Sequence, residues 1–574
     1  MKQYWKILLK YKWSLILCPL LVLTFVICET MQPMLMARIV DDGVMLKDID
    51  VITRVGLYMV GISLLGLAAN ITNVFVSSNA SVGFATDLRS RLFRKIQALS
   101  FAEIDRFNSA SLITRLTTDI TRLQMVVLLG LRIMLRSPMM LIMAFVYVVR
   151  IDAGLALIVA AAIPVLGVAV YFILKKGFPF FLRTQQKVDN LNGVVRENLI
   201  NIRVVKSFVR EKYESRKFAA SNEDLRDVSI RAANIIVTIF PVMQLVLNLS
   251  VIAVLWVGGN NVAAGNLKIG ELVSLVNYLM QILMSLMMMS MIIMNIARAS
   301  ASSERILEVL NTEPSLTDTP EALAGDNRIT SGALSFRDVT FRYKDGETDV
   351  LQNISFNVSS GQTVAVVGAT GSGKTTLLQL IPRLYDVTSG SIEIDGRDVR
   401  SYRQEEVHHG VGMVLQKNVL FSGTIEENIR WGRQDATMEE IVEAAKAAQA
   451  HDFILSFPDG YSTVLGRGGV NVSGGQKQRI SIARSIIAHP RILILDDSTS
   501  AVDTDTEKKM RAGLQEYLAG TTLFVATQRV STMDTADMVL VLDDGMVESY
   551  GPPAVLRETS AIYQEIIHSQ SMTF

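Results

Sequence analysis

Apolar positions run in long blocks before about residue 300 and in short alternating blocks after it. Six of the early blocks, near 13–40, 53–80, 124–149, 153–175, 233–258 and 269–297, reach the roughly 20 residues that a helix needs to cross a bilayer. Between them, "RIDAG" and "GGNNVAAGNLK" are short and weakly charged, whereas 81–123 and 176–232 are long, basic and helical in pattern. Basic residues stay on the cytoplasmic side. Arg89, Arg91, Arg94, Lys95, Arg106 and Arg115 therefore place the first long connection inside, and Lys175, Lys176, Arg183 and Lys187 the second. An even number of spans then leaves both termini inside. The opening "MKQYWKILLKYKW" reads as a retained amphipathic helix at the membrane surface rather than a cleaved signal.

After Arg298 the pattern changes. "NTEPSLTDTPEALAGDNRITSG" is rich in turn formers and predicts a linker. Beyond it, "LSFRDVTFRY", "TVAVVG", "SIEIDG", "RILILDD", "TTLFVAT" and "MVLVLDDGMV" read as strands separated by helical stretches, an α/β domain. The expected organisation is an all-α membrane domain over 1–315, a linker over 316–332 and an α/β domain over 333–574. Composition agrees: half of the 574 residues are hydrophobic, and 56 Lys and Arg balance 55 Asp and Glu, so no charge excess points to nucleic acid. Cys18 and Cys28 read as small hydrophobes within the first span. The five histidines, His408, His409, His451, His489 and His568, show no metal-ligand spacing.

"VAVVGATGSGKTTLLQLI" carries the strongest chemistry. Gly368, Gly373, Lys374 and Thr375 fit G-x-x-x-x-G-K-[ST] between a β-branched strand and a helix, the setting a phosphate-binding loop requires. Backbone N–H groups from Gly368 through Ala369, Thr370, Gly371, Ser372 and Gly373 to Thr376 would surround phosphate oxygens. Lys374 would reach the β and γ phosphates, and the Thr375 hydroxyl would hold Mg²⁺. "ILILDD" then ends an apolar strand on Asp496 and Asp497.

About a hundred residues beyond the phosphate loop, "NVSGGQKQRISIAR" begins a helix with Ser473, Gly474, Gly475 and Gln476. This motif resembles the signature of ATP-binding cassette (ABC) proteins. With six spans ahead of it, the whole chain resembles an ABC exporter half-transporter. The resemblance implies a fold of six membrane helices joined to a P-loop nucleotide-binding domain, in a bacterial inner membrane. It also implies two ATPs sandwiched between facing domains, the signature serving the nucleotide held by the other subunit. Tyr343 then matches the adenine-stacking aromatic, Gln416 the glutamine that senses Mg²⁺ and water, Asp496 the Mg²⁺ aspartate, and Ser500 to Asp503 the loop crossing to the partner. The absence of a peptidase domain before the spans argues against a processing peptide exporter.

The departures from that family pattern are informative. Asp497 stands where the family has the glutamate that polarises the attacking water, and Gln528 where it has a switch histidine. The shorter side chain withdraws the carboxylate by about a bond length, while a general base needs hydrogen-bond reach. Glutamine can donate but cannot hold a proton's charge. Arg467 replaces a usual glutamate before the signature, and Val472 a usual leucine. The expectation is a site that holds ATP and cleaves it slowly, on a chain whose signature completes the active site of a different partner chain in a heterodimer.

The membrane half offers weaker signals. "YLMQILMSLMMMSMIIMN" makes Met284, Met287, Met288 and Met291 candidates for a cavity accepting amphipathic drug-like compounds, against core or lipid-facing filler. Glu29 lies deep in the first span, where a carboxylate usually faces a bundle interior or watery cavity. It could draw cationic substrates, sit among outer headgroups or pair with Arg38. Arg132 and Arg136 are expected in packing or at the inner headgroups. "FAEIDRFNSASLITRLTTDI" and "RENLINIRVVKSFVREKYE" resemble the family's coupling loops. The resemblance favours ATP-driven export, with a lipid flippase or a regulatory ATP-binding subunit as alternatives.

Overall fold

The computed structural model describes residues 2–324, 328–344, 346–497 and 503–571. The chain forms two compact units, Met1–Gln97 with Ala110–Asn311, and Ala98–Ser109 with Thr312–Phe574. A twelve-residue excursion from the N-terminal half therefore packs in the C-terminal unit, a division more interleaved than one boundary near 315.

Among the described residues, six helical stretches of the first unit are long and apolar enough to cross a membrane: Tyr4–Val44, Ile49–Gln97, Ser109–Ile151, Ala153–Gly177, Glu211–Ala263 and Ile269–Leu286. Leu57, Phe75 and Trp256 lie exposed on them, an arrangement that suits lipid and would aggregate in water. Helix Ile49–Gln97 has 49 residues. At the α-helical rise it measures roughly 70 Å, about twice a hydrocarbon core, so it continues well beyond the membrane. The short "RIDAG" link works because Asp152 caps the next helix, its Oδ1 accepting from the N–H groups of Gly154 and Leu155 at 2.7 and 3.0 Å.

Among its described residues the second unit has twelve strands: β1 Leu334–Phe341, β2 Leu351–Val358, β3 Thr363–Val367, β4 Ser389–Ile394, β5 Arg397–Asp398, β6 Val411–Val414, β7 Gly423–Thr424, β8 Val464–Leu465, β9 Ile492–Asp496, β10 Thr522–Ala526, β11 Met538–Asp543 and β12 Met546–Gly551. An antiparallel sheet has the order β2-β1-β4-β5, a larger one the order β12-β11-β3-β10-β9-β6, and β7 pairs with β8. Five neighbours of the larger sheet, β11, β3, β10, β9 and β6, run parallel. Both faces of this parallel core are covered: Ile492, Ile494, Phe524 and Ala526 join one apolar cluster, and Leu493, Leu495, Leu523 and Val525 another. This explains why β9 and β10 read as unbroken apolar runs rather than alternating ones.

Asp395 fastens the preceding loop to this unit. Its carboxylate accepts from the backbone N–H groups of Thr330, Ser331, Gly332 and Ala333 and from the hydroxyls of Thr330 and Ser331. Burial alone would raise its pKa, but these donors outweigh it and hold it at about 2. A depressed carboxylate pKa contributes stability above the unfolded value, and that contribution disappears as pH falls through the folded value. Asp395→Asn should therefore melt below wild type at pH 7, with the gap closing between about pH 4 and pH 2. Thermal unfolding followed by circular dichroism at both ends of that window checks this, and a gap independent of pH would contradict it.

Candidate nucleotide site

The parallel strands deliver the site's side chains to their C-terminal ends, where α/β sheets place ligands. After β3 the chain turns through Gly368 and Gly373 into helix Lys374–Leu380. Both glycines are required sterically: φ is +148° and +96°, and an added Cβ would approach the Leu542 carbonyl oxygen to 2.2 Å and Leu351 Cδ2 to 2.7 Å. Asp496 ends β9, and Gln528 lies two residues beyond β10.

These pieces converge on a cavity of about 300 Å³. Thr370, Gly371, Gly373, Lys374, Thr375 and Thr376 line it with Gln416, Asp496, Asp497 and Gln528, and with Val350, Ala526 and Thr527, which the motifs do not reveal. Lys374 Nζ donates to the carbonyl oxygens of Gly368 and Ala369 at 2.8 and 2.7 Å. Burial lowers its pKa, and Asp496 and Asp497 oppose that shift. Thr375 Oγ1 donates to Asp496 Oδ1 at 3.1 Å. Asp496 is buried and its pKa is raised, first by desolvation and further by Asp497. Gln416 Nε2 donates to Asp497 Oδ2 at 3.3 Å. Asp497 has a backbone φ of +47°, a left-handed conformation that Asp tolerates better than most residues.

The fit to ATP and Mg²⁺ can be judged from polar atoms without partners. Asp496 Oδ2 and Ser372 Oγ are buried and lack hydrogen-bond partners. Asp496 Oδ2, the Thr375 hydroxyl and the Gln416 amide, whose residues all line the cavity, form the oxygen-rich, incomplete set that suits Mg²⁺ sharing ligands with phosphates. Among the described residues no three His, Cys, Asp or Glu side chains converge as a metal site, so an all-protein cage is not formed.

Other expected residues lie elsewhere. Tyr343 lines a separate cavity of about 430 Å³, and its hydroxyl lies 3.0 Å from Thr376 Oγ1 at the end of the loop. Ser473 and Gln476 form a reciprocal cap at the start of helix Gly474–Ile486, with bonds of 2.9 and 3.3 Å. That cap exposes Gly474 and leaves Gly475 half-buried, and none of these residues lines the 300 Å³ cavity. Asp503 caps helix Thr504–Tyr517, and its pKa is lowered by the Thr506 N–H it accepts at 2.9 Å. Ser500 to Val502 fall outside the described residues.

Sequence reasoning missed Glu507. Buried beneath this region, it accepts from Thr532 Oγ1 at 2.8 Å, bonds Arg511 at 3.1 Å and also pairs with Arg529, the residue after Gln528. The only local hint was its four-residue spacing to Arg511.

Within the membrane unit, Glu29 pairs with Arg136, both carboxylate oxygens accepting from Nη2 at 3.0 and 2.8 Å, rather than with Arg38. It is therefore not an unpaired carboxylate available to a cation. Met284 and Met288 are exposed, while the side chains of Met287 and Met291 lie outside the described ones.

Comparison with known proteins matches residues 15–286 to the ABC transporter transmembrane region and 351–500 to the ABC transporter domain. The chain belongs to the ABC transporter family. It is an ABC exporter, a multi-pass membrane protein carrying the family's ATP-binding domain. Across 85% of its length it is 34% identical to a putative multidrug export ATP-binding/permease protein of Bacillus subtilis, covering 83% of that relative. Across 84% it is 33% identical to an ATP-dependent lipid A-core flippase of Syntrophus aciditrophicus, covering 79% of it. A solved bacterial Atm1-family ABC exporter with ATP bound superposes with a TM-score of 0.82 at 25% identity, over 97% of this exporter and 98% of that chain.

Proposed function

We propose that this exporter moves amphipathic compounds out across the bacterial inner membrane as one half of a two-chain transporter. Its own phosphate-loop site, with Lys374, Thr375 and Asp496 (the Walker residues), binds MgATP and hydrolyses it slowly. The observation carrying this reading is the shared cavity of Lys374, Thr375, Asp496, Asp497 and Gln528. The groups expected to hold the phosphates and Mg²⁺, Lys374, Thr375 and Asp496, are present there, and the two positions that would handle the proton are occupied by a short carboxylate and a neutral amide.

In this mechanism, loop N–H groups and Lys374 hold the phosphates, Thr375 and Asp496 hold Mg²⁺, and Gln416 orients water near Asp497. The ion would supply charge neutralisation at the phosphoryl oxygens. Ser473 to Gln476 would complete the partner's site, and Asp503 would lie on the crossing loop. ATP shifts the assembly toward a closed state only in so far as it binds that state better. A slowly emptied site then keeps the pair engaged while the other site cycles.

The multidrug relative supports drug-like cargo, the lipid A-core flippase supports a lipid. Inside-out vesicles containing this chain, its partner chain or both test the proposal. Uptake of a fluorescent amphiphile should require ATP and both chains. Brisk uptake by this chain alone would remove the two-chain reading, and ATP-dependent control of the partner without uptake would favour a regulatory subunit.

A further inference from the structure

A second cavity, of about 130 Å³, lies wholly within the membrane unit. Leu21, Val22 and Phe25 line it from the first span, Asn70 and Asn73 from the second, and Arg132, Ile133 and Arg136 from the third. Arg132 sits in a widened π-helical turn, Gly130–Met134, a local distortion often found where a helix carries a functional group. Its guanidinium is fixed by Ser77 Oγ, Ser78 Oγ and the Val74 carbonyl, each at 2.7 Å. Arg136 stacks over Phe25 at 4.5 Å and spends Nη2 on Glu29.

Two features point to a missing partner. Among the described residues, the two arginines are the only charged ones lining the cavity, and Glu29 compensates just one of them. An uncompensated charge at membrane depth is costly and marks a functional position. Independently, Asn73 is 4% exposed, lines the cavity, and its Oδ1 is buried with no hydrogen-bond partner. A satisfied packing network would leave neither a net charge nor an idle buried amide.

We propose that this cavity binds the anionic group, phosphate or carboxylate, of an amphiphile, with Arg132 and Arg136 donating to the anion and Asn73 Oδ1 accepting from a hydroxyl group next to it. Resting on the export reading, it makes the cargo class anionic amphiphiles rather than cations. Because Glu29 is already matched, the site's field is positive. Guanidinium–phosphate bonds are among the stronger polar contacts and are strengthened away from water.

The test uses the purified full-length chain in detergent, with lipid binding measured by native mass spectrometry. Dioleoyl-phosphatidylglycerol should bind at least about tenfold more tightly than dioleoyl-phosphatidylcholine, and Arg132→Gln should abolish that preference, the size of effect expected for one lost charge-assisted contact. Asn73→Leu, with the same number and branching of side-chain heavy atoms but no acceptor, should reduce the preference at least about threefold and decides the matter if Arg132→Gln does not fold. Arg150→Gln, an exposed position at the end of the same helix, should leave it unchanged. Competition by millimolar inorganic phosphate would show that the free anion suffices; its failure, with lipid preference intact, would identify a lipid headgroup as the source. Equal binding of the two lipids, or a preference surviving both cavity variants, overturns the proposal. The readout needs neither ATP nor partner, so failed export with intact selectivity would sink the transport reading alone.

Discussion

Replacing Asp497 by Glu and Gln528 by His together is expected to raise ATP turnover at this chain's site by on the order of 10²-fold, the lower end of what positioned acid–base catalysis provides. Both positions line the phosphate cavity, and Gln416 already reaches Asp497 at 3.3 Å, so a carboxylate one methylene longer starts with an orienting partner. The gain has a local cost. Position 497 has φ +47°, where Glu is less at ease than Asp, by about 1 kcal/mol. ATP affinity should change little, because Lys374, Thr375 and Asp496 are untouched. Steady-state ATPase with a parallel nucleotide-binding titration checks both halves. A wild-type chain already as fast as the double variant would show that Asp497 serves as a competent base, and Asp497→Asn would then abolish turnover instead of leaving it nearly unchanged.

The second large effect is structural. Asp119 is fully buried in the membrane unit, and its carboxylate accepts from Arg305 Nε at 2.8 Å and Nη2 at 2.5 Å, with Arg122 3.8 Å away. The two-pronged bond ties the third helical stretch to the far end of helix Ile269–Asn311, beyond its membrane-spanning part. Truncation to alanine removes the anion and leaves Arg305 and Arg122, 40% and 50% exposed, without their shared carboxylate. Because only the carboxylate is buried, losing its charge-assisted bonds costs about 2 kcal/mol, so Asp119→Ala should lower the melting temperature in detergent by roughly 3 °C. Removing both charges with apolar residues of similar size, Asp119→Leu with Arg305→Met, should recover most of that loss. A double variant no better than the single one would show that the bond contributes more than the burial cost of its charges.

Much of this was legible in sequence where the physics is local. A phosphate loop is a glycine-spaced backbone conformation, so Gly368 to Thr376 announce themselves. Fully buried parallel strands such as β9 and β10 announce themselves as unbroken apolar runs. β2, "LQNISFNV", went unseen because it lies at the edge of its antiparallel sheet with alternating exposure, and β6 because four residues including Gly412 carry too little pattern. Partnerships across the chain were the least legible. Glu29 could be weighed against Arg38 by helical spacing, but Arg136, 107 residues away, meets it only through packing. Arg132 likewise was expected in packing or among headgroups, but its partners Ser77 and Ser78, 55 and 54 residues earlier in the chain, meet it only through packing. The Walker residues needed the converse: each was readable alone, and their convergence on one cavity required the sheet.

The excursion Ala98–Ser109 has a practical corollary for anyone cutting the chain at the apparent joint. Glu103, buried and bonded to both the N–H and hydroxyl of Ser315, and Asp105, which takes the Tyr385 hydroxyl at 2.6 Å, belong to the very body that such a cut would isolate. A fragment beginning at Thr312 would carry a notch where the helix Phe101–Phe107 fits, with Ser315, Leu316 and Tyr385 turned toward solvent. Supplying residues 98–109 as a separate peptide should fill that notch, making the severed ATPase a two-piece protein rather than a free-standing one.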